Sequence, residues 1–178
     1  MTVTGSLRET RDRIVREHME SENRHEFDVA LATFKHPRYE LVATGEVIDG
    51  ATDVAEYYRE TRAAFPDQRN EVIAIHHADN AVIVEFDLLG THDGVFRGVP
   101  PTGRSFRCRM AAVFEFDGED LVCERVYFDS ATILRQLGIA HDPLTLRGRV
   151  ATVLNHPLTV GQAVLRHALN RNRHGRPR

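Results

Sequence analysis

Few side chains in this sequence combine a type and a spacing that could do chemistry. Asp129 is the first. It closes the apolar run Val126-Tyr127-Phe128, and strand alternation would set Arg125, Tyr127 and Asp129 on one face. Apolar surroundings raise the pKa of a carboxylate, by an amount worth about 1.36 kcal/mol per unit, and so make it a better proton acceptor. Asp129 also precedes a helix signal at Ser130–Leu137. Asp is a preferred N-cap residue, so a capping role and a pocket role both fit. Arg107 and Arg109 share one strand face, opposite Phe106, Cys108, Met110, Ala112 and Phe114. They face either solvent or a partner subunit, or one reaches the pocket, pairs with Asp129 and suits an anionic or enolate-forming substrate. Tyr57 and Tyr58 sit in one helix, and only one of them can face a sheet fully. His36, before Pro37, fits a pocket mouth or a solvated surface. His76 and His77 are strand neighbours whose side chains point to opposite faces, so they cannot chelate one metal.

Other chemistries lack their motifs. There is no glycine-rich phosphate loop and no Cys pair at zinc spacing, and His25-Glu26 continues as Phe27-Asp28-Val29 rather than into a metal-binding helix. None of the four serines lies in a nucleophile elbow. Neither a metal nor a cofactor is expected.

The elements that must position Asp129 follow from period. Leu7, Ile14, Val15, His18 and Met19 recur at helical spacing, with a break at Asn23–His25. Phe27, Ala30, Leu31 and Phe34 form a second short helical face, stopped at His36-Pro37. Tyr39–Thr44 reads as a short extended segment and Asp49-Gly50 as a turn. Thr52 reads as the N-cap of a third helix bearing Val54, Tyr57, Tyr58, Thr61 and Phe65. The period then becomes two: Asn70–His77, Ala81–Leu89, Arg104–Phe116 and Leu121–Asp129 read as strands. This order predicts an α+β fold: a curved antiparallel sheet covered on one face by N-terminal helices and enclosing an apolar pocket. Residues 1–140 form that domain, and residues 141–178 a basic helical extension, frayed from Asn170 onward.

The 178 residues divide unevenly in charge. From His141 to Arg178 there are seven arginines and one acid, a net +6, whereas the first 140 residues carry a net −9. The longest unbroken apolar run, Met110–Phe114, is far short of the roughly 20 residues that span a bilayer. No signal-peptide core precedes the first charged helix, and two cysteines make no disulfide framework. A cytoplasmic protein is expected. The basic tail lacks aromatic side chains for base stacking, so it reads as a docking arm for the acidic body or a partner subunit. No nucleic acid and no membrane partner is expected.

Two stretches carry a family resemblance: the loop Gly90-Thr91-His92-Asp93-Gly94-Val95-Phe96-Arg97-Gly98-Val99-Pro100-Pro101-Thr102-Gly103-Arg104, and Arg125-Val126-Tyr127-Phe128-Asp129 followed by Ile133-Leu134-Arg135-Gln136-Leu137-Gly138. With Ala64-Phe65-Pro66-Asp67, they resemble the SnoaL-like polyketide cyclases (ester cyclases) of the nuclear transport factor two-like superfamily, over about Arg13 to Gly138. The resemblance implies a cone-shaped α+β barrel, cofactor-free ring closure by intramolecular aldol condensation, and a homodimer formed through the outer sheet face. It places the catalytic carboxylate at Asp129 and puts His92 in the family loop as a donor to a substrate carbonyl; by their positions on strand faces, helix and loop, Tyr127, Arg125, Arg109, Tyr57 and His36 are the expected substrate contacts. The substrate would be a hydrophobic carbonyl compound. Ala111-Ala112 stand where relatives often carry a polar or acidic residue, which argues against an epoxide-hydrolase mechanism. The alternative on the same scaffold is a non-catalytic protein that binds a hydrophobic small molecule.

Overall fold

Ser6 opens the first helix, α1 (Leu7–Asn23), in the computed structural model, which describes residues 6–174. Its hydroxyl accepts the Glu9 N–H at 3.3 Å, and the Glu9 carboxylate accepts the Ser6 N–H at 2.7 Å. This reciprocal cap satisfies two donors that a helix end otherwise leaves unpaired. The chain breaks at His25, whose φ of 59° ends helical geometry, and resumes as α2 (Phe27–Ala32). A hairpin of β1 (Arg38–Leu41) and β2 (Glu46–Asp49) follows. The helix α3 (Ala51–Ala64) begins at Gly50, at φ 95°, rather than at the expected Thr52. A glycine reaches that left-handed backbone without a Cβ clash, so the helix starts earlier.

Four longer strands complete the sheet: β3 (Arg69–His77), β4 (Ala81–Thr91), β5 (Ser105–Asp117) and β6 (Asp120–Phe128). The order across the sheet is β2-β1-β6-β5-β4-β3. All neighbours are antiparallel except β1 and β6, which run parallel with Tyr39 opposite Glu124 and Leu41 opposite Val126. The α+β reading therefore stands, with one parallel pair in a sheet expected to be wholly antiparallel. β2 has no signal in the sequence because four residues of an edge strand show too little alternation.

Along β5 the pleat buries Phe106, Cys108, Met110, Ala112, Phe114 and Phe116 on the inner face. α1 and α3 cover that face with Val15, Met19, Val54 and Tyr58. α4 (Ser130–Gln136) follows β6.

The first compact unit ends at Gly138 and the second begins at Ile139. In the second, Thr145 caps α5 (Leu146–Asn155) by accepting the Gly148 N–H at 3.1 Å. α6 (Pro157–His174) follows directly. Helix thus continues through the Asn170–His174 stretch expected to fray, and residues 175–178 lie outside the described ones. No described helix is long and apolar enough to cross a membrane.

The loop between β4 and β5 is pinned to the end of α3. The N–H groups of Asp93 and Gly94 both donate to the Ala64 carbonyl, at 3.1 and 3.0 Å. A Cβ at Gly94 would overlap the Ala63 carbonyl. Gly94→Ala is therefore expected to cost about 1–3 kcal/mol, read as a lowered urea midpoint with unchanged slope.

Candidate functional site

A cavity of about 310 Å³ lies against the inner sheet face, at the lower end of the roughly 300–1,000 Å³ usual for small-molecule sites. Its walls come from alternate residues of four strands: Leu41, Leu88, Phe106, Met110, Val126 and Phe128. Ile133 and Leu134 of α4, Tyr57 and Thr61 of α3 and Phe65 just past its end add to it, and Thr44, Glu46, Gln68, Phe96, Arg97 and Ser130 also line it. Phe65 meets Phe96 and Phe106 edge-on, with centroids 5.1 and 5.3 Å apart, making one wall aromatic. At the mouth, Arg97 clasps both carboxylate oxygens of Glu46 at 2.7 and 2.6 Å, joining the loop to β2. A wider groove along α1, lined by Arg8, Glu9, Asp12, Arg13 and others, is open and charged and offers no enclosed chemistry.

Of the residues expected to act, only Tyr57 lines this cavity. Its hydroxyl makes no hydrogen bond among the described residues, and burial, aided by the charges of Glu22 and Glu124, holds its pKa above the ordinary tyrosine value. Asp129 caps α4: it accepts the Ala131 N–H at 2.9 Å and the Thr132 hydroxyl at 2.6 Å, with Arg135 at 3.3 Å. The Thr132 hydroxyl, above all, lowers its pKa, and its side chain is exposed. It stands between Phe128 and Ser130, both on the cavity wall.

Arg125 and Tyr127 lie on the outer sheet face, because the β6 pleat turns Glu124, Val126 and Phe128 inward instead. Arg125 is spent on Glu40 and Glu115, both at 2.8 Å. Arg109 pairs on the outer face with Asp87 and Glu85, both at 2.7 Å. His36 is exposed and meets Asp49 at 2.8 Å. His92 is fully buried against Phe65, with Nδ1 accepting the Thr102 N–H at 3.3 Å and no hydrogen bond at Nε2 among the described residues. It pins the loop rather than facing the cavity lining.

A buried polar cluster lies beneath the cavity floor. Tyr39 and Glu124 are register partners, and Leu41 and Val126, two residues further along the same strands, line the cavity. Two residues of strand set the cluster ~6–7 Å below that floor. His18 of α1 is its centre, fully buried. Its Nδ1 donates to the Thr33 hydroxyl at 2.9 Å, while that hydroxyl donates to the Ala30 carbonyl at 2.6 Å. Nε2 lies 2.8 Å from the Tyr39 hydroxyl, 3.1 Å from Glu124 and 3.6 Å from Glu22. Glu124 Oε2 faces the imidazole as a buried ion pair. Asn70 donates to Glu22 at 2.7 Å, and Tyr39 donates to it at 3.2 Å.

Burial pulls the His18 pKa down, but the flanking carboxylates overcome it and lift it from 6.5 to about 10. Burial also raises Glu124, net upward despite His18. Glu22, by contrast, is held below its ordinary value because His18 and Arg62 outweigh its burial. Donor atoms of His18, Glu22 and Glu124 lie within 4.8 Å of one another, a spacing that would suit a metal ion. As built, the imidazolium meets that need instead, with Arg62 donating to the Glu22 carbonyl at 3.3 Å behind it. The visible signal was His18 on the apolar stripe of α1 with Glu22 four residues on. The inward pleat of Glu124 had none.

The profile of the SnoaL-like polyketide cyclase family matches residues 12–137. The chain belongs to that family. Solved relatives share its fold. IdmH of Streptomyces antibioticus, described as a candidate polyketide cyclase, is 26% identical and superposes with a TM-score of 0.61, over 75% of this chain and 99% of that one. A candidate SnoaL-like polyketide cyclase from Jannaschia is 17% identical, with a TM-score of 0.69 over 80% of this chain and all (100%) of that one. A protein of ketosteroid isomerase-like fold from Catenulispora acidiphila, in complex with trimethylamine, is 19% identical, with a TM-score of 0.60 over 71% and 92%. Among curated protein sequences none matches.

The cluster makes SnoaL-like stability pH-dependent. His18 has a folded pKa above its unfolded 6.5, so its contribution is complete below pH 6.5 and is lost as pH rises toward about 10. Glu22, lowered from 4.5, loses its contribution on the acid side of that value. His18→Gln is expected to cost about 3–5 kcal/mol and to flatten the alkaline decline in urea unfolding.

Proposed function

We propose that this SnoaL-like chain is a cofactor-independent cyclase or isomerase that moves a proton on an apolar carbonyl compound held in the 310 Å³ cavity. The observation that carries this reading is the Tyr57 hydroxyl. It is a protonated donor with no hydrogen-bond partner among the described residues, on a wall that is mostly aromatic and aliphatic but also holds Thr44, Glu46, Thr61, Gln68, Arg97 and Ser130. Such a group can donate to a substrate carbonyl and hold the negative charge of an enolate, most strongly where water is excluded.

Asp129 is the proton acceptor in this scheme. It takes the proton α to one carbonyl, the enolate carbon attacks a second carbonyl, and the resulting alkoxide receives the proton back. The carboxylate is a weak base while Thr132 and Ala131 hold it, and a ligand that displaces water from the mouth raises its pKa. Homodimerisation through the outer sheet face belongs to the same reading, supported by Val72 and Ile73, nearly half exposed on β3. A reducing compartment such as the cytoplasm suits the two buried free thiols, Cys108 and Cys123.

One observation favours binding without turnover: the acceptors of Asp129 are committed to the α4 cap. Exchange of the α-protons of 2-tetralone in deuterium oxide, followed by proton NMR, separates the two readings. Asp129→Asn keeps a residue able to cap and removes the charge. Turnover predicts exchange faster than buffer, falling at least about 100-fold in Asp129→Asn and also falling in Tyr57→Phe. Binding of the ketone with no exchange above buffer would favour the non-catalytic reading.

A further inference from the structure

The family match ends at residue 137, and the unit that begins at Ile139 carries features the cavity does not use. α5 and α6 display large apolar side chains to water. Leu146 and Leu158 are 79% and 80% exposed, and Val150, Val164, Leu165 and Leu169 are all more than half exposed. All of these but Val164 fall on two stripes. Leu146, Val150 and Val153 recur at the spacing of one stripe on α5, as Leu158, Leu165 and Leu169 do on α6.

The charge of this unit is one-sided. No carboxylate occurs from Pro143 to Arg178. Arg147, Arg149 and Arg166 are exposed, and no ion pair engages them among the described residues. The arginines of the sheet stand in contrast: Arg38, Arg107, Arg109 and Arg125 all hold carboxylates.

We propose that α5 and α6 bind the surface of an anionic lipid bilayer. Their leucine and valine stripes would enter the boundary between headgroups and acyl chains, and their arginines would sit on lipid phosphates. An apolar stripe backed by arginines is the pattern of helices that lie in a membrane interface. These helices run ~15 and ~27 Å at 1.5 Å per residue, and neither is apolar enough to span.

Other occupants fit less well. A second copy of the unit would cover the stripes but would bring two sets of arginines together with no carboxylate to separate them. Nucleic acid would take the arginines and leave the leucines in water, and residues 141–178 have no Phe, Tyr or Trp to stack on a base. The sheet's carboxylates are largely engaged by its own arginines. This proposal departs from the expectation that no membrane is engaged. Periodicity revealed the stripe, and within their own unit α5 and α6 leave it exposed.

The test is co-sedimentation of the full-length chain with two kinds of vesicle: equal parts phosphatidylglycerol and phosphatidylcholine, or phosphatidylcholine alone. Partition should favour the anionic vesicles and weaken with added salt. The double substitution Leu158→Glu and Leu165→Glu should lower it at least about tenfold. The triple substitution Arg147→Gln, Arg149→Gln and Arg166→Gln should do so on anionic vesicles only. Far-ultraviolet circular dichroism confirms that the helices of each variant persist. A variant that loses its helices is replaced by one with a single substitution from the same set.

The proposal is overturned by equal partition into both vesicles at every salt concentration, or by partition that the leucine substitutions leave unchanged. It is also overturned by a doubled mass without lipid that the same leucine substitutions halve, or by retention on duplex DNA in place of vesicles. None of these readouts involves the cavity, so failure here and failure of the proton-transfer reading are distinguishable.

Discussion

A charged imidazole between two buried carboxylates is the interaction on which the domain depends. His18 comes from α1, Tyr39 from β1, Tyr58 from α3, Asn70 from β3 and Glu124 from β6. Taking these groups out of water is costly unless each finds its partner. The cluster is therefore satisfied only when five elements arrive together. The β1–β6 pair adds a sharper condition, because Tyr39 and Glu124 are opposed only in the observed register. A one-residue slip of β1 would turn Tyr39 to the other face and leave Glu124 without it. The cluster thus works as a registration device under the apolar cavity, and its tolerance is narrow because an unpaired buried charge is so unfavourable.

The two sheet faces divide the labour. Inside, β5 and β6 present Phe106, Met110, Val126 and Phe128 to the cavity. Outside, Arg107 and Arg109 straddle Asp87, which is only 4% exposed although it lies on the outer face. Arg125 bridges β6 to Glu40 on β1 and Glu115 on β5. These ladders cross the strands and brace the outside without entering the site. The aromatic wall of Phe65, Phe96 and Phe106 and the Arg97–Glu46 clasp then hold the long loop over the mouth. Rigid backing and a cavity closed mainly by one loop and one short helix suit a site that must exclude water.

Much of this was legible in the sequence where a period ran long enough. The inner face of β5 was read correctly from Phe106 to Phe114, because a half-buried strand must alternate. The helical stripe that includes Val15, His18 and Met19 was equally visible. β2 was not, since four residues at an edge carry no periodic signal. The facing of β6 was harder. Arg125 and Tyr127 share the parity of Asp129, but Asp129 follows the strand's end, so its parity says nothing of its side chain. Glu124 was invisible as a site residue because it lies in a stretch of mixed polar and apolar side chains, and only a partner from α1 makes its burial tolerable.

What the sequence determined by itself was the α+β order, the inward stripe of each long element, the family pattern and the charge division between body and tail. All of these follow from local propensity and period, which act over a few residues. The tertiary structure alone decided which polar side chains meet. His18 and Glu124 are more than a hundred residues apart, and Tyr57 became the one expected site residue on the cavity wall. It also decided that α5 and α6 do not cover each other's stripes within their own unit. Burial depends on what other elements cover, and no spacing within a single segment encodes that.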